Sequence, residues 1–407
     1  MEFTESIINL NTSTGFPLYT KKSKIIVHDP NLEILGISRP LQMDQEHWDE
    51  VTAAEDILAS GDRVNFIHTA STKDEPKKKG SDKVRVFYVT PITCLLLCRR
   101  YFLMIAKLLM DHAMLFENTI GINTHSMDWD NMVERLLVFG WDRFVNGDFK
   151  KYDSKMPVMI NLATFKLLIE ICFMSGNFDD RAISIMRGLA TELCLPVLNF
   201  FLTVLMVFGS TISGHSLTIC LNSVDNSLIM RYAFYKIFED KYKDMFSRFV
   251  VLFTNGDDNI MSVSKELEGF NHTTIQAALA EDGIVYTMAD KEADSVPFLP
   301  LSDTSYLKRR FTYSKQYRRW MCPIEEKSIF KSLHNYIPSK IQSKEQHAVE
   351  VMNNALREYF YYGKDKFEEV RAKLMIIIDR HHLRCELPTG ELLTYSDIET
   401  ALYTTHM

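Results

Sequence analysis

The chain has 407 residues, of which 46% are hydrophobic, 12% aromatic and 24% charged, with only 16 glycines and 12 prolines. This composition is typical of a globular protein of roughly two or three domains, and it excludes collagen-like, disordered and linker-dominated chains. The formal net charge of −7 argues at first sight against a nucleic-acid partner.

The N-terminus and the apolar stretches predict neither a signal peptide nor a transmembrane segment. The first ten residues, MEFTESIINL, lack a basic segment followed by an apolar core. The most apolar stretches are 94–110, which contains three basic residues, and 195–208, which is too short to span a bilayer. Seven scattered cysteines favour a reducing compartment without a disulfide framework.

Periodicity and turn signals predict a sequence of strands and helices along the chain. A lysine cluster with Pro and Gly in 71–90 predicts an exposed loop that leads into a strand. The predicted elements are strand 84–88, helix 93–110, strand 143–149, a helix after Pro157, a helix after Gly214, strands 249–254 and 259–263, helix 265–282 and a mostly helical region from 312 to the end. This order predicts an α+β fold with an antiparallel sheet.

Acidic residues occur at the ends of two predicted strands. Asp148 ends the strand 143–149, and Asp257 and Asp258 lie at the tip of a predicted hairpin. Charge at a sheet edge is costly unless something balances it, and carboxylates without nearby His or Cys suit a hard divalent cation such as Mg²⁺. The pair Asp179–Asp180, in contrast, is expected to be a solvated helix start or loop.

Seven sequence motifs support this interpretation through their fixed order. They are 12–17 (TSTGFP), 73–85, 147–153 (GDFKKYD), 213–218 (SGHSLT) with Asn222 one helical turn later, 254–258 (TNGDD), 287–291 (TMADK) and 306–311 (YLKRRF). Motif by motif, the chain resembles the RNA-dependent RNA polymerases of picorna-like positive-strand RNA viruses. The resemblance covers roughly residues 12–311, and seven motifs in one order are not expected by chance.

The resemblance implies a right-hand polymerase with fingers, a palm that contains an antiparallel sheet, and a helical thumb. The predicted divisions are fingers at 1–105 and 178–211, palm at 106–177 and 212–311, and thumb at 312–407. In this family the 12–17 motif normally follows a long index-finger segment, whereas here eleven residues precede it. We therefore expect the index-finger segment to be absent and the chain to be an excerpt of a polyprotein.

For the chemistry, the resemblance implies a two-metal nucleotidyl transfer. Asp148 and Asp257 would hold two Mg²⁺ ions, for which Mn²⁺ is expected to substitute, and Asp258 would be the secondary carboxylate of the pair. One ion would activate the primer 3′-hydroxyl and both would stabilise displacement at the α-phosphate. Lys291 would protonate the departing pyrophosphate; without the other motifs, it would be an ordinary surface lysine.

Further residues are implied to bind the substrates. The triphosphate is expected to contact Lys73, Lys77, Lys79, Lys83 and Arg85, of which arginine offers a bidentate fork. The RNA template and primer are expected to contact Thr12, Ser13, Gly15, Lys308 and Arg309. A solvated charge run remains the alternative for the lysines.

Sugar selection is implied by Asp153. Relatives of this fold that synthesise DNA, such as reverse transcriptases, share an aromatic residue at the position of Asp153. That residue excludes a 2′-hydroxyl. Asp153 is instead expected to accept hydrogen bonds in a network with Ser213, Thr218 and Asn222. A polar site built for a hydroxyl rejects substrates that lack it, so the predicted substrate is a ribonucleotide.

The predicted function is therefore template-directed RNA synthesis that replicates a viral RNA genome, from an RNA 3′ end or a small protein primer. The alternatives are a reverse transcriptase, which Asp153 and Asn222 disfavour, and a catalytically inactive, polymerase-derived RNA-binding protein. Expected partners are RNA, nucleoside triphosphates, the protein primer and other viral replication proteins. The expected location is the host cytoplasm, at membrane-associated replication complexes.

Two details mark a divergent member of this family. Asn255 stands where many relatives have Tyr, and it suits a turn because Asn tolerates a positive φ angle. Leu217 stands where picornaviruses proper often have Gly, which together with His215 favours the insect, plant and marine groups.

The net charge is also unevenly distributed. Residues 73–85 carry six basic and three acidic side chains, and residues 306–336 carry eight basic and two acidic ones, so these segments have local charges of +3 and +6. The other residues then carry −16. The negative total excludes RNA binding over the whole surface but not in basic channels.

Overall fold

The computed structural model describes residues 8–28, 41–73, 75, 80, 84–242, 244–290, 293–336, 338–339 and 342–404. Their helices are α1 (Gln45–Ala59), α2 (Ile92–Asp111), α3 (Ala113–Phe116), α4 (Met127–Leu136), α5 (Tyr152–Lys155), α6 (Val158–Met174), α7 (Asp180–Cys194), α8 (Thr218–Phe238), α9 (Phe246–Phe249), α10 (His272–Ala280), α11 (Glu326–His334), α12 (Lys344–Tyr359), α13 (Lys364–Arg380) and α14 (Tyr395–Thr404). None of these helices is long and apolar enough to cross a bilayer.

The strands of the described residues form sheets of two or four strands. They are β1 (Ile26–His28), β2 (Leu41–Met43), β3 (Ile67–Thr72), β4 (Val86–Val89), β5 (Phe144–Phe149), β6 (Val197–Phe200), β7 (Thr203–Met206), β8 (Val250–Asn255), β9 (Asp258–Val263), β10 (Tyr286–Met288), β11 (Ser305–Tyr306), β12 (Arg309–Arg310), β13 (Thr312–Ser314) and β14 (Arg319–Met321). Antiparallel pairing dominates, so the predicted α+β class is confirmed.

One four-stranded antiparallel sheet, in the order β10-β5-β9-β8, lies at the centre of the chain. Helices pack against both faces of this sheet, and apolar side chains of its strands point to both faces. Val145, Leu252 and Met261 pack with helices α8 and α10, whereas Phe253 and Ile260 pack with Trp129 and its neighbours on α4. Burial on both sides holds the hairpin β8–β9 rigidly, with its turn at one end of the sheet.

The second four-stranded sheet, in the order β4-β3-β6-β7, contains a parallel pair, β3 with β6. Helices α1, α2, α6 and α7 share a separate core with the start of α8. The sequence patterns predicted the strand that became β4, but they did not predict α1, β3, β6 or β7. The reason for β3 is its polar sequence, IHTAST, which lacks the alternation of a half-buried strand.

Two predicted helical regions need correction. The predicted helix 265–282 is only α10, because Asn271 caps its first turn by accepting a hydrogen bond from the Thr274 backbone N–H at 3.1 Å. The region after 312 begins with the hairpin β13–β14 and becomes helical only at α11. Trp320 on β14 is buried in the core shared with α4, and this packing favours a strand.

A buried ion pair joins α4 to β14. The Arg319 and Asp130 side chains are 8% and 4% exposed, and an Arg319 guanidinium nitrogen lies 3.0 Å from an Asp130 carboxylate oxygen. The other carboxylate oxygen accepts a hydrogen bond from the Trp320 backbone N–H at 2.6 Å. The pair therefore fixes the hairpin β13–β14 against α4.

We predict that Asp130→Ala lowers the free energy of unfolding by about 3–5 kcal/mol, because it leaves the Arg319 charge buried without its partner. Urea unfolding measures the effect. Asp56→Ala is the matched control, since Asp56 pairs with Arg181 on the surface, where the side chains are 66% and 52% exposed. The control should change stability by no more than about 0.5 kcal/mol. Equal losses in both variants would contradict the assigned role.

Candidate functional site

The predicted acidic residues meet at one edge of the central sheet. Strands β8 and β9 pair as far as Asn255 and Asp258, so Gly256 and Asp257 form a two-residue turn. On the next strand Gly147 pairs with Asn259, and one further step along this register places Asp148 beside Asp258. The Cα atoms of directly opposed residues in an antiparallel pair lie about 4.5–5.5 Å apart, so the backbones of all three residues lie at the same edge of the sheet.

These carboxylates fit a divalent cation that also binds substrate. Asp257 is exposed, whereas Asp148 and Asp258 are half-buried. Among the described residues, no group of three or more His, Cys, Asp or Glu side chains is placed so that it could hold a metal ion. Mg²⁺ characteristically retains several waters and binds through one or two carboxylates together with phosphates, so a site of oxygen ligands alone, open to solvent, suits it.

The turn differs in one respect from the sequence prediction. The residue with a positive φ angle is Gly256, at +63°, whereas Asn255 stays in the extended conformation of β8. The Asn255 side chain instead donates a hydrogen bond to the Thr119 carbonyl oxygen at 3.0 Å. Asn255 therefore anchors the hairpin to the loop that precedes α4.

The predicted ribose-selecting residues are partly in contact. The Asn222 side-chain amide donates a hydrogen bond to the Asp153 carboxylate at 2.9 Å. Thr218 does not join them, since its hydroxyl donates to the carbonyl oxygens of Ile212 and His215, both at 3.0 Å. The Asp153–Asn222 contact of the predicted network is thus present, and Thr218 closes the loop that carries the half-buried Ser213.

This loop lies tightly against strand β4. A Cβ atom on Gly214 would come within 1.7 Å of the Tyr88 carbonyl oxygen, so only glycine fits there. His215 is buried beside it and accepts a hydrogen bond from the Leu217 backbone N–H at 3.1 Å. Burial and the neighbouring His68 lower the pKa of His215 to about 3, which keeps its ring neutral.

The structure describes two of the predicted triphosphate-binding residues. The Lys73 backbone N–H donates to the Arg85 carbonyl oxygen at 2.9 Å, so both residues extend the hairpin β3–β4. Both side chains are exposed, and the Arg85 guanidinium lies 3.3 Å from the Glu75 carboxylate. Lys77, Lys79, Lys83 and the predicted general acid Lys291 lie outside the described residues.

The predicted RNA-contacting loop 12–17 packs beside the start of α2. A Cβ atom on Gly15 would lie 3.0 Å from the Thr90 carbonyl oxygen. Within the loop, Ser13 accepts a hydrogen bond from the Gly15 backbone N–H at 3.1 Å, and Thr12 accepts one from the Lys22 ammonium at 2.6 Å. These contacts give the loop a fixed conformation at the protein surface.

The other predicted RNA contacts occupy different environments. Lys308 lies in the turn between β11 and β12 and is exposed. Arg309 instead forms a bidentate ion pair with Glu358 of α12, at 2.7 and 2.8 Å, and its side chain is 12% exposed. The Arg309 guanidinium thus binds α12 in this structure, and its contact with RNA stays a prediction.

Several residues that hold the acidic turn were not predicted. Ser223 and Asn226 of α8 bind its backbone, and the Glu117 carbonyl oxygen accepts a hydrogen bond from the Thr254 backbone N–H at 2.8 Å. The Glu117 carboxylate in turn pairs with Arg231 of α8 at 2.7 Å. A usable signal was present: the polar residues at positions 222, 223, 225 and 226 lie on the buried face of a helix whose neighbouring residues 219–221 and 228–230 are apolar.

Asp225 is a buried carboxyl on the same helix. Its side chain accepts a hydrogen bond from the Thr164 hydroxyl of α6 at 2.5 Å. Burial raises its pKa from the ordinary value of 3.8 to about 7, although the Thr164 hydrogen bond acts in the opposite direction. With this pKa, the carboxyl is mostly protonated below about pH 7.

Comparisons with known proteins agree with this geometry. The family model described as viral RNA-dependent RNA polymerase matches residues 4–374. The solved structure of the Sicinivirus 3Dpol RNA-dependent RNA polymerase superposes with a TM-score of 0.76 at 16% sequence identity, and the match covers 100% of this chain and 81% of that one. The structural match confirms the predicted right-hand fold.

Curated relatives are viral polyproteins. The chain is 30% identical over 411 residues to the replicase polyprotein of Drosophila C virus (strain EB), covering 96% of this chain and 23% of that protein. It is 31% identical over 314 residues to the RNA1 polyprotein of Grapevine fanleaf virus, covering 76% of this chain and 13% of that protein. The chain thus spans less than a quarter of either polyprotein, and the resemblance inferred from the motifs is confirmed.

For Asp225 we predict a pH-dependent effect of Asp225→Asn. The folded state binds the carboxyl proton more tightly than the unfolded state, so this group stabilises the fold at low pH. That contribution declines from about pH 4 and is lost as the pH rises through about 7. The amide cannot ionise, so the stability of the variant relative to the wild type should rise by a few kcal/mol between pH 5 and pH 8.

Urea unfolding at the two pH values measures this difference, in which other titrating groups cancel. Cys194, which lies near Asp225, does not titrate in this range because burial raises its pKa to about 12. The same stability difference at both pH values would contradict a raised pKa of Asp225 that lies between them.

Proposed function

Because the chain belongs to the viral RNA-dependent RNA polymerase family, we propose that it catalyses template-directed RNA synthesis. In this reaction a nucleoside monophosphate is transferred from a triphosphate to an RNA 3′ end and pyrophosphate is released. The observation that carries the proposal is the strand register that places Asp148 beside the turn of Asp257 and Asp258. Helix α8 joins this turn to the Asp153–Asn222 pair, so a metal site and a sugar site are adjacent.

The acidic edge would hold two Mg²⁺ ions, with Mn²⁺ as a substitute. Asp148 and Asp257 are the proposed principal ligands, and Asp258 is the secondary one. When bound, such ions supply a more nucleophilic 3′-hydroxyl and charge stabilisation at the transferred phosphate. The chain itself contributes carboxylates on a rigid, doubly covered sheet, and Lys291 is the proposed donor of a proton to pyrophosphate.

The Asp153–Asn222 pair is the proposed ribose-recognition site. The Asn222 amide holds one carboxylate oxygen of Asp153 at 2.9 Å, so the acceptor has a fixed direction. A 2′-hydroxyl can donate to such an acceptor, whereas a deoxyribose leaves it without that partner. This arrangement favours an RNA polymerase over the reverse-transcriptase alternative.

Exposed basic residues are the proposed binding groups for the triphosphate and for RNA. Lys73 and Arg85 on the hairpin β3–β4 are proposed to bind the triphosphate, and Lys308 and the loop 12–17 are proposed to contact RNA. Protein priming, other viral replication proteins and a location at membrane-associated complexes in the host cytoplasm are proposed from the family alone. The non-catalytic RNA-binding alternative is disfavoured because Asp148, Asp257 and Asp258 share one sheet edge.

We predict that Asp257→Asn reduces primer extension on a poly(A)–oligo(U) template with Mg²⁺ by at least about 100-fold. The amide removes the negative charge that the metal needs while it preserves the shape of the turn. Incorporation of labelled UMP provides the measurement.

Asp180→Asn is the matched control for this experiment. Asp180 is an exposed aspartate in the first turn of α7 and belongs to the acidic pair without an assigned role. It should retain wild-type extension. Equal activity of the Asp257→Asn variant and the wild type would refute the metal role.

A second prediction concerns the sugar. Asp153→Phe should lower the preference for UTP over dUTP by at least about 10-fold, since the loss of a polar partner built for a hydroxyl removes roughly 1–3 kcal/mol of discrimination. The ratio of kcat/KM for the two nucleotides is the quantity to measure.

Asp153→Ala tests the same point without a bulky ring and guards against a folding defect in the phenylalanine variant. It should also lower the ratio, because it removes the acceptor. An unchanged ratio in a folded Asp153→Ala variant would contradict ribose recognition by Asp153.

A further inference from the structure

A single buried amide binds most of the turn that carries Asp257. The Asn226 side-chain nitrogen donates to the carbonyl oxygens of Gly256 and Asp257 at 3.0 Å and lies 3.3 Å from that of Asp258. Three residues earlier on α8, the Ser223 hydroxyl accepts the Gly256 backbone N–H at 2.8 Å. Residues three apart lie on one face of a helix, so α8 holds both the donor and the acceptor groups of the turn.

The orientation of this amide is fixed by a relay of two further side chains. The side-chain oxygen of Asn226 accepts a hydrogen bond from the side-chain nitrogen of Asn259 at 3.2 Å. The side-chain oxygen of Asn259 in turn accepts a hydrogen bond from the Tyr286 hydroxyl at 2.7 Å. Burial raises the pKa of Tyr286, so its hydroxyl remains a donor. Each amide therefore has one orientation that satisfies both of its ends.

The relay begins on β10, which pairs in the sheet with β5, the strand that carries Asp148. Tyr286 is fully buried on β10, and its ring occupies the space above Gly147. A Cβ atom at Gly147 would lie 2.2 Å from the Tyr286 ring and 2.5 Å from its hydroxyl oxygen. The glycine that precedes Asp148 is therefore required by the tyrosine that starts the relay.

We propose that Tyr286, Asn259 and Asn226 are positioning residues that set the separation and orientation of Asp148 and Asp257. The relay spans β10, β9 and α8 and connects the Gly147 position to the turn, so it links the two strands that supply the principal carboxylates. The three side chains touch neither substrate nor metal and act through the turn backbone. This inference rests on the proposed function for its catalytic consequence, although the relay itself is a property of the fold.

Tyr286→Phe is the sharpest test because it removes only the first donor and retains the ring that fills the space above Gly147. Without that donor, Asn259 loses the contact that fixes its orientation. Loss of an outer partner of metal-ligating groups typically lowers metal affinity or activity 10- to 100-fold. We expect the Mg²⁺ concentration for half-maximal primer extension to rise roughly 10-fold.

Two measurements do not depend on activity. Hydrogen exchange followed by mass spectrometry should show faster exchange in the peptide that covers 250–263. Titration with Mn²⁺, followed by electron paramagnetic resonance, should show weaker binding by a similar factor.

Tyr359→Phe is the matched control. Tyr359 is also a buried tyrosine, and its hydroxyl donates one hydrogen bond, to the Glu326 carboxylate at 3.1 Å, in the separate core of α11–α13. The control should change neither the Mg²⁺ requirement nor the exchange of the peptide 250–263. A Tyr286→Phe variant that behaves like this control, with a lower melting temperature as its only change, would overturn the proposal.

A double-mutant cycle adds a second criterion. Asn259→Leu removes the middle of the relay, so Tyr286→Phe should have little further effect on the Mg²⁺ requirement in that background. Fully additive effects would contradict a relay that acts as one unit. A wild-type protein that does not extend primers would refute the proposed function, whereas hydrogen exchange and Mn²⁺ binding would still test the relay.

Discussion

The site depends on one interaction, the capture of a charged two-residue turn by the buried face of helix α8. The turn at Gly256 and Asp257 brings carboxylates, and backbone N–H and C=O groups outside the strand ladder, to the edge of an apolar sheet. Burying a carboxylate or a backbone polar group without a partner carries a large free-energy cost. Ser223 and Asn226 satisfy the backbone groups from one side. The backbone of the turn is thereby fixed by α8 independently of the carboxylate side chains.

Helix α8 also connects this turn to the rest of the chain. Its first half, with Cys220 and Leu221, packs in the core of α1, α2, α6 and α7, whereas its second half, with Ile229 and Met230, packs against the central sheet. Asn222 lies between these halves and holds Asp153. One rigid helix therefore connects the Asp153 carboxylate to the acidic turn through the polar side chains of Asn222, Ser223 and Asn226.

The elements that could be predicted from the sequence are those whose signals lie close together along the chain. The hairpin β8–β9 and the helices α2, α6 and α8 were predicted because their signals are local: turn residues, a proline and helical spacing. The strand β3 was not predicted, because its own sequence is polar and one of its two pairing partners, β6, lies more than a hundred residues away. The motifs singled out Asp148, Asp153 and Asp257 as candidate site residues. The contacts of Arg309 with Glu358 and of Thr218 with Ile212 could not be predicted, because they depend on the three-dimensional fold.

The charge distribution illustrates the same limit. The segment 306–336 carries eight basic side chains, and its local charge of +6 predicts that it lines a nucleotide or RNA channel. In the structure, Arg309 and Arg319 are bound to Glu358 and Asp130, two acidic residues outside the segment. Each of these arginines is partly neutralised by its neighbouring carboxylate and holds two elements together, so it is less available to a polyanion than an exposed, unpaired cation. The basic surface available to RNA is therefore smaller than the composition suggests, and it is concentrated at exposed side chains such as Lys308.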